Sequence, residues 1–106
     1  MSLSIIIPVK NEEKIIGETI KYFASSWIKE IENEIVIIND FSGDATLEEI
    51  KKFHDQNLNL KIIQNKKPGL GSAISMGIEN SSKQFIAIFM ADLSDSIIDL
   101  KEYYTI

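Results

Sequence analysis

Two aspartates three residues apart, Asp92 and Asp95, close the most apolar stretch of the chain, FIAIFMA at residues 85–91. With the Ser94 hydroxyl between them they offer hard oxygen ligands suited to Mg²⁺ or Mn²⁺, whose coordination shell waters and substrate phosphates would complete. Asp95 or Ser96 capping a helix over the following SIIDLKEYY is equally good local chemistry. Three more polar clusters each follow an apolar run: Pro8 to Glu12 (PVKNE), Asn39 to Asp44 (NDFSGD) and Lys66 to Gly71 (KKPGLG). Asp40 is acceptor-only and can take hydrogen bonds from a base or ribose, or it can be a turn residue. Glu12 can bind a ligand donor or simply favour a helix N-terminus. Lys66 and Lys67 with Gly69 and Gly71 can meet a diphosphate, because glycine permits close approach and a helix N-terminus favours an anion. Their spacing fits neither the P-loop nor the dinucleotide fingerprint.

The apolar runs must position these clusters. Residues 3–9 (LSIIIPV), 34–40 (EIVIIND), 58–65 and 84–91 read as strands buried on both faces. Between the first two, Asn11 can cap a helix that carries Glu12 and Glu13 in its first turn. Ile16, Ile20, Phe23 and Trp27 form one apolar stripe along that helix. Asp44 or Thr46 can cap a second helix, and Thr46 with Glu49 has the capping-box spacing. A third, small-residue helix over 72–81 carries Ile74 and Ile78 on one face. Strand and helix alternate throughout, which predicts right-handed crossovers and a parallel sheet with helices on both faces. Ligands of such folds bind beyond the carboxyl ends of the strands, where all four polar clusters fall.

A length of 106 residues fits one domain, expected to span 1–106. A net charge of −5 argues against a nucleic-acid or anionic-membrane surface. The absence of cysteine excludes disulfides, thiolate metal sites and cysteine nucleophiles, and His54 has no second His or Cys beside it. The N-terminal apolar run lacks a basic region and is too short for a signal peptide, and no stretch approaches the ~20 apolar residues of a membrane span. The expected location is cytoplasmic, or at most peripheral at the inner face of the membrane.

The segments LSIIIPVKNEEKIIGETI, EIVIINDFSGDAT, NKKPGLGSAISMGI and FIAIFMADLSD resemble, in this order, family-2 glycosyltransferases, most closely the polyprenyl-phosphate (dolichol-phosphate) mannose and glucose synthase branch. The resemblance implies a Rossmann-like GT-A fold, a three-layer α/β/α parallel sheet of strand order 3-2-1-4 that binds a UDP- or GDP-sugar. It implies that Pro8, Val9, Lys10, Asn11, Glu12 and Asp40, with Ser42, hold the nucleoside. Lys67, Gly69, Gly71 and Ala91 would lie near the donor, and Asp92, with Ser94 or Asp95, would bind the divalent metal. Two positions depart from the family pattern. Met90 stands where the first carboxylate of the metal motif belongs, and Phe41 replaces a glycine after the second strand. Enzymes of this family continue well past this length, supplying the acceptor site, for polyprenyl phosphate in this branch, and the catalytic base. The chain therefore reads as the donor-binding half of a glycosyltransferase, with a sheet edge open to self-association. The alternative is a non-catalytic remnant or interaction module that binds nucleotide weakly. A sugar nucleotidyltransferase fits less well, since PVKNEE occupies the place of its Gly-rich basic loop.

Overall fold

The computed structural model describes residues 2–25, 30–53 and 59–90. In chain order they form β1 (Ser2–Val9), α1 (Ile16–Ser25), β2 (Glu32–Asn39), α2 (Thr46–Lys51), β3 (Leu60–Gln64), α3 (Leu70–Glu79) and β4 (Phe85–Ile88). The sheet has the order β3-β2-β1-β4, with every pair parallel, as expected. Because β1 to β3 are built outward and β4 returns to the far side of β1, right-handed crossovers must put α3 on the face opposite α1 and α2. The packing agrees. Leu3, Ile5, Ile7, Ile35 and Ile37 pack with Ile16, Ile20 and Phe23 of α1 and Ile50 of α2. Ile6, Val36 and Ile38 point the other way, onto Ala73 of α3.

The expected α1 stripe is buried at Ile16, Ile20 and Phe23, and Trp27 lies outside the described residues. Phe23 meets Phe89 edge-to-face at 5.3 Å between ring centres, tying α1 to the end of β4. Three expectations need correction. Helix α1 begins at Ile16, and Asn11 does not cap it; the backbone at Asn11 is left-handed, with φ of 54°. Helix α3 starts at Leu70 and buries Ala73 and Gly77, whereas Ile78 is exposed. Small residues face the sheet because a Cβ on Gly77 would overlap Ile6 Cγ2, so helix backbone and strand side chain are already in contact. Strand β4 is shorter than the apolar run that encodes it, and Phe85, Ile86 and Ile88 are more than two-fifths exposed, since β4 lies at the edge of the described sheet.

The amino ends of the strands are joined by one carboxylate. Glu34 is 1% exposed, and its Cα pairs across the ladder with that of Ser4. Its Oε2 accepts from the Ser4 hydroxyl and the Ser82 amide, each at 2.6 Å, and its Oε1 pairs with Lys61 Nζ at 2.8 Å. Burial disfavours the charged form of Glu34, but Lys61, Ser4 and Ser82 outweigh it and hold the pKa at about 2, against an ordinary 4.5. One side chain thereby links β1, β2, β3 and the turn into β4.

Two outcomes follow from this packing. Gly77→Ala gains about 1 kcal/mol of helix propensity, but overpacking against Ile6 costs roughly 1–3 kcal/mol. A net loss of up to about 2 kcal/mol is expected in urea denaturation. Glu34 has a folded pKa below its unfolded one, so its stabilisation is complete above pH 4.5 and is lost as pH falls toward about 2. The wild-type chain should lose up to about 3 kcal/mol across that window through this group. Glu34→Gln, less stable at neutral pH, should show a correspondingly flatter acid dependence in urea titrations at fixed pH.

Candidate functional site

At the carboxyl ends of the strands, the β1 and β2 loops are stitched together before any ligand is considered. The Asn11 amide donates to Ser42 Oγ at 3.1 Å, and the Gly43 amide donates to Asn11 Oδ1 at 2.7 Å. Farther along, the Glu12 amide donates to Thr46 Oγ1 at 2.8 Å, while Asp44 accepts from the Thr46 amide at 3.0 Å and from the Thr46 hydroxyl. The Thr46 hydroxyl, reinforced by the Thr46 and Glu13 amides, holds the Asp44 carboxyl below its usual range. This use of Thr46 displaces the expected capping box. The N-cap of α2 is Ala45, which makes no side-chain bond, and Glu49 turns to Lys52 at 2.7 Å. Phe41, at the position where the family carries glycine, has φ of 55°, a left-handed conformation that is strained for a bulky residue.

Asp40 is the centre of a second network. It is 7% exposed, and its amide donates to the Val9 carbonyl at 2.8 Å, which fixes the end of β2 against the end of β1. Its Oδ1 accepts from Asn65 Nδ2 at 2.9 Å and from the Gly69 amide at 3.0 Å, and its Oδ2 lies 3.2 Å from the same amide. Asp40 therefore anchors the glycine loop as well as facing the site. Gly69 has φ of 124°, and a Cβ added there would meet nothing within 4 Å, so backbone conformation rather than crowding calls for glycine.

Of the residues singled out in the sequence, Pro8, Val9, Lys10, Glu12 and Asp40 converge on one pocket of about 200 Å³. Leu70 and Met90 complete its lining. It sits where β1 and β4 neighbour each other, with the connection out of β1 (α1) over one face and the connection into β4 (α3) over the other, the switch point at which open α/β sheets place ligands. Asn11 and Ser42 do not line it, but build the loop behind it. Lys67, Gly69 and Gly71 do not line it either, and Gly69 reaches it only through Asp40. Ala91, Asp92, Ser94 and Asp95 lie outside the described residues. Asn65, whose side chain holds Asp40, has only one sequence signal, an asparagine directly after a strand. Among the described residues, no group of three His, Cys, Asp or Glu side chains could hold a metal ion; Asp40 Oδ1 accepts from two amide groups and Asp44 Oδ1 from the amide and hydroxyl of Thr46. No described helix is long and apolar enough to cross a membrane.

Comparison with known proteins agrees with this architecture. The family model "Glycosyl transferase family 2" matches residues 4–104. A glucuronosyltransferase of Methanococcus voltae that acts on dolichyl N-acetyl-α-D-glucosaminyl phosphate is 38% identical over 92 residues, covering 84% of this chain and 28% of its own length. A dodecaprenyl-phosphate galacturonate synthase of Rhizobium johnstonii is 27% identical over 94% of this chain and 30% of its own. Among solved structures, Staphylococcus aureus TarS 1–349 in complex with UDP-GlcNAc superposes with a TM-score of 0.84 at 28% identity, over 99% of this chain and 30% of that one. The mannosyltransferase PcManGT of Pyrobaculum calidifontis, in complex with GDP-Man and Mn²⁺, shares the fold with a TM-score of 0.78 at 19% identity, over 85% of this chain and 27% of that one. The chain thus spans less than a third of the length of these relatives. It belongs to glycosyl transferase family 2.

Proposed function

We propose that this chain is the donor-binding part of a glycosyltransferase, a single domain over 1–106 whose pocket at the β1/β4 switch point takes the nucleoside of a UDP- or GDP-sugar. The observation that carries the reading is the convergence of Asp40 and Glu12 with Pro8, Val9 and Lys10 on one pocket at the carboxyl edge of the sheet. Asp40 Oδ2 carries only the longer contact to Gly69, which leaves acceptor capacity for the imide N–H of a uracil or the N1–H of a guanine. The Lys10 ammonium adds positive charge on the same wall. A pocket of about 200 Å³ is smaller than the roughly 300–1,000 Å³ of a site that encloses a drug-sized ligand. It suits a base and part of a ribose, with the diphosphate and sugar continuing past Met90. The likeness to TarS, which binds UDP-GlcNAc, supports a nucleotide-sugar as the ligand class.

In this reading Ser42, Lys67, Gly69, Gly71 and Ala91 flank the donor, and Mg²⁺ or Mn²⁺ would be held by Asp92 with Ser94 or Asp95. When bound, the metal would stabilise negative charge on the departing nucleoside diphosphate. The chain's own described residues bind and orient the nucleoside. An anionic acceptor such as polyprenyl phosphate, in keeping with the relative named as a dodecaprenyl-phosphate galacturonate synthase, needs little help from a base. That acceptor would place the protein in the cytoplasm, peripheral to the inner face of the membrane.

Calorimetric titration of the folded chain with UDP and GDP, with and without Mn²⁺, tests the proposal. Binding of one nucleotide is expected, weakened about tenfold or more by Asp40→Ala, equivalent to at least about 1.4 kcal/mol. Asp92→Asn should abolish only the metal-dependent increment. Flat heats for both nucleotides in a folded sample would instead favour a non-catalytic remnant or interaction module.

A further inference from the structure

We propose that Asn65 is a positioning residue for this pocket, fixing the Asp40 carboxylate so that Oδ1 carries the shorter bonds to Asn65 and the glycine loop and Oδ2 faces the bound base. The inference rests on the reading of the pocket as a nucleotide site. Asn65 follows β3 directly and is 2% exposed, with its amide donating to the Asn39 carbonyl at 3.0 Å. Its side-chain NH₂ donates to Asp40 Oδ1 at 2.9 Å and to the Gly69 carbonyl at 3.2 Å, while its Oδ1 accepts from the Ser72 hydroxyl at 2.8 Å. The two atoms faced by the NH₂ are acceptors with no hydrogen to give, so the orientation of the amide is forced.

The consequence falls on Asp40. The last torsion of an aspartate is broad, and a carboxylate at the mouth of a pocket would otherwise rotate between its two equivalent oxygens. The Gly69 amide is shared between the two oxygens, at 3.0 Å from Oδ1 and 3.2 Å from Oδ2, so it is Asn65 Nδ2, donating to Oδ1 alone, that selects one rotation. Oδ2 is then presented with its acceptor capacity largely intact. A lysine in place of Asn65 would also donate, but it would neutralise the charge a ligand N–H must find. A leucine would fill the space and donate nothing. A neutral side chain with two N–H donors and one acceptor meets every partner at this position, so its contribution is orientation without compensation of charge.

The test replaces Asn65 by its near-isostere. Asn65→Asp puts an acceptor-only carboxylate against Asp40, and restoring the donor requires that the pair share a proton. Affinity for UDP and GDP is measured at about pH 7.5 and about pH 5.5, together with exchange of the Gly69 amide relative to wild type. Lys10, Glu12, Asp44, Lys66 and Lys67 at this end are common to both chains, so their titration cancels in the comparison. The expected result is binding weakened about tenfold or more at the higher pH and largely recovered at the lower one. An equal loss at both pH values, or no loss in a folded variant, overturns the proposal. If the wild-type chain binds neither nucleotide, the nucleotide reading falls, and Gly69 exchange decides the rest: lost protection in the variant upholds the hold on Asp40, and unchanged protection overturns it. Should Asn65→Asp not fold at the higher pH, Ser72→Ala removes only the hydroxyl that orients the Asn65 amide. It should weaken binding about threefold, in line with one lost hydrogen bond, and unaltered affinity would again overturn the proposal.

Discussion

A carboxylate buried in a protein is tolerable only where donors fill its lone pairs, and β2 with the residue after it buries two of them on one face. Glu34, Val36, Ile38 and Asp40 alternate toward α3, with a charge at each end and two aliphatic side chains between. Glu34 receives the amide of Ser82, just past the end of α3, and Asp40 receives the amide of Gly69, just before its start. The helix is therefore held at both ends by a single strand, while Gly77 and Ala73 let its backbone settle onto Ile6 between the two holds. Hydrogen bonds to charged acceptors contribute about 1.5–3 kcal/mol each, more than neutral ones, and unpairing either carboxylate would leave a buried charge. The position of α3, and of the glycine loop that leads into it, follows from this spacing on β2.

That constraint reaches the candidate site through Asp40, which serves the fold and the pocket at once. On the opposite face no equivalent demand exists among the described residues, and the β1 and β2 loops are secured by a different device. Asn11, Ser42, Asp44 and Thr46 take part in polar contacts that bind the β1 loop to the β2 loop and to the first residue of α2. Two mechanically distinct supports thus converge on the same few ångströms, one from each side of the sheet. A site so braced is formed before its ligand arrives, which lowers the entropy lost on binding.

Much of this is legible in the sequence. The strands, their alternation with helices, the α1 stripe and the gathering of Pro8 to Glu12 with Asp40 at one edge all follow from hydrophobic periodicity and the rules of parallel sheets. What escapes does so for identifiable reasons. The buried face of α3 is hidden because Ile74 and Ile78 carry the hydrophobic signal, while close approach to the sheet selects for the absence of a side chain at Gly77. The capping box at Thr46 fails because a tertiary partner, the Glu12 amide, competes with the local one. The apolar run over 84–91 suggests burial, yet apolar composition does not reveal whether a strand is central or at the edge of the described sheet. Asn65 gives almost no sign, since a single asparagine after a strand is also what an ordinary turn requires.

The two departures from the family pattern differ in kind. Phe41 takes the left-handed backbone that a glycine would adopt freely, at a strain of about 1–2 kcal/mol. The loop keeps its course because Asn39 Oδ1 accepts from the Ser42 amide at 3.3 Å and Asn11 Oδ1 accepts from the Gly43 amide at 2.7 Å, both just after it. The hydrogen bonds, not the residue's own preference, set the conformation, and the exposed ring has room in solvent. Met90 changes no backbone feature, but it replaces a charge with a flexible apolar wall on the pocket itself. The first departure leaves the polar contacts around the loop intact, so its effect falls on stability. The second alters the pocket wall itself, and under the proposed reading it leaves recognition within the described residues to Asp40, Glu12 and Lys10. Under the proposed donor-site reading, the ligand is recognised chiefly through the carboxyl ends of β1 and β2, where the Asp40 network and the contacts between their loops meet.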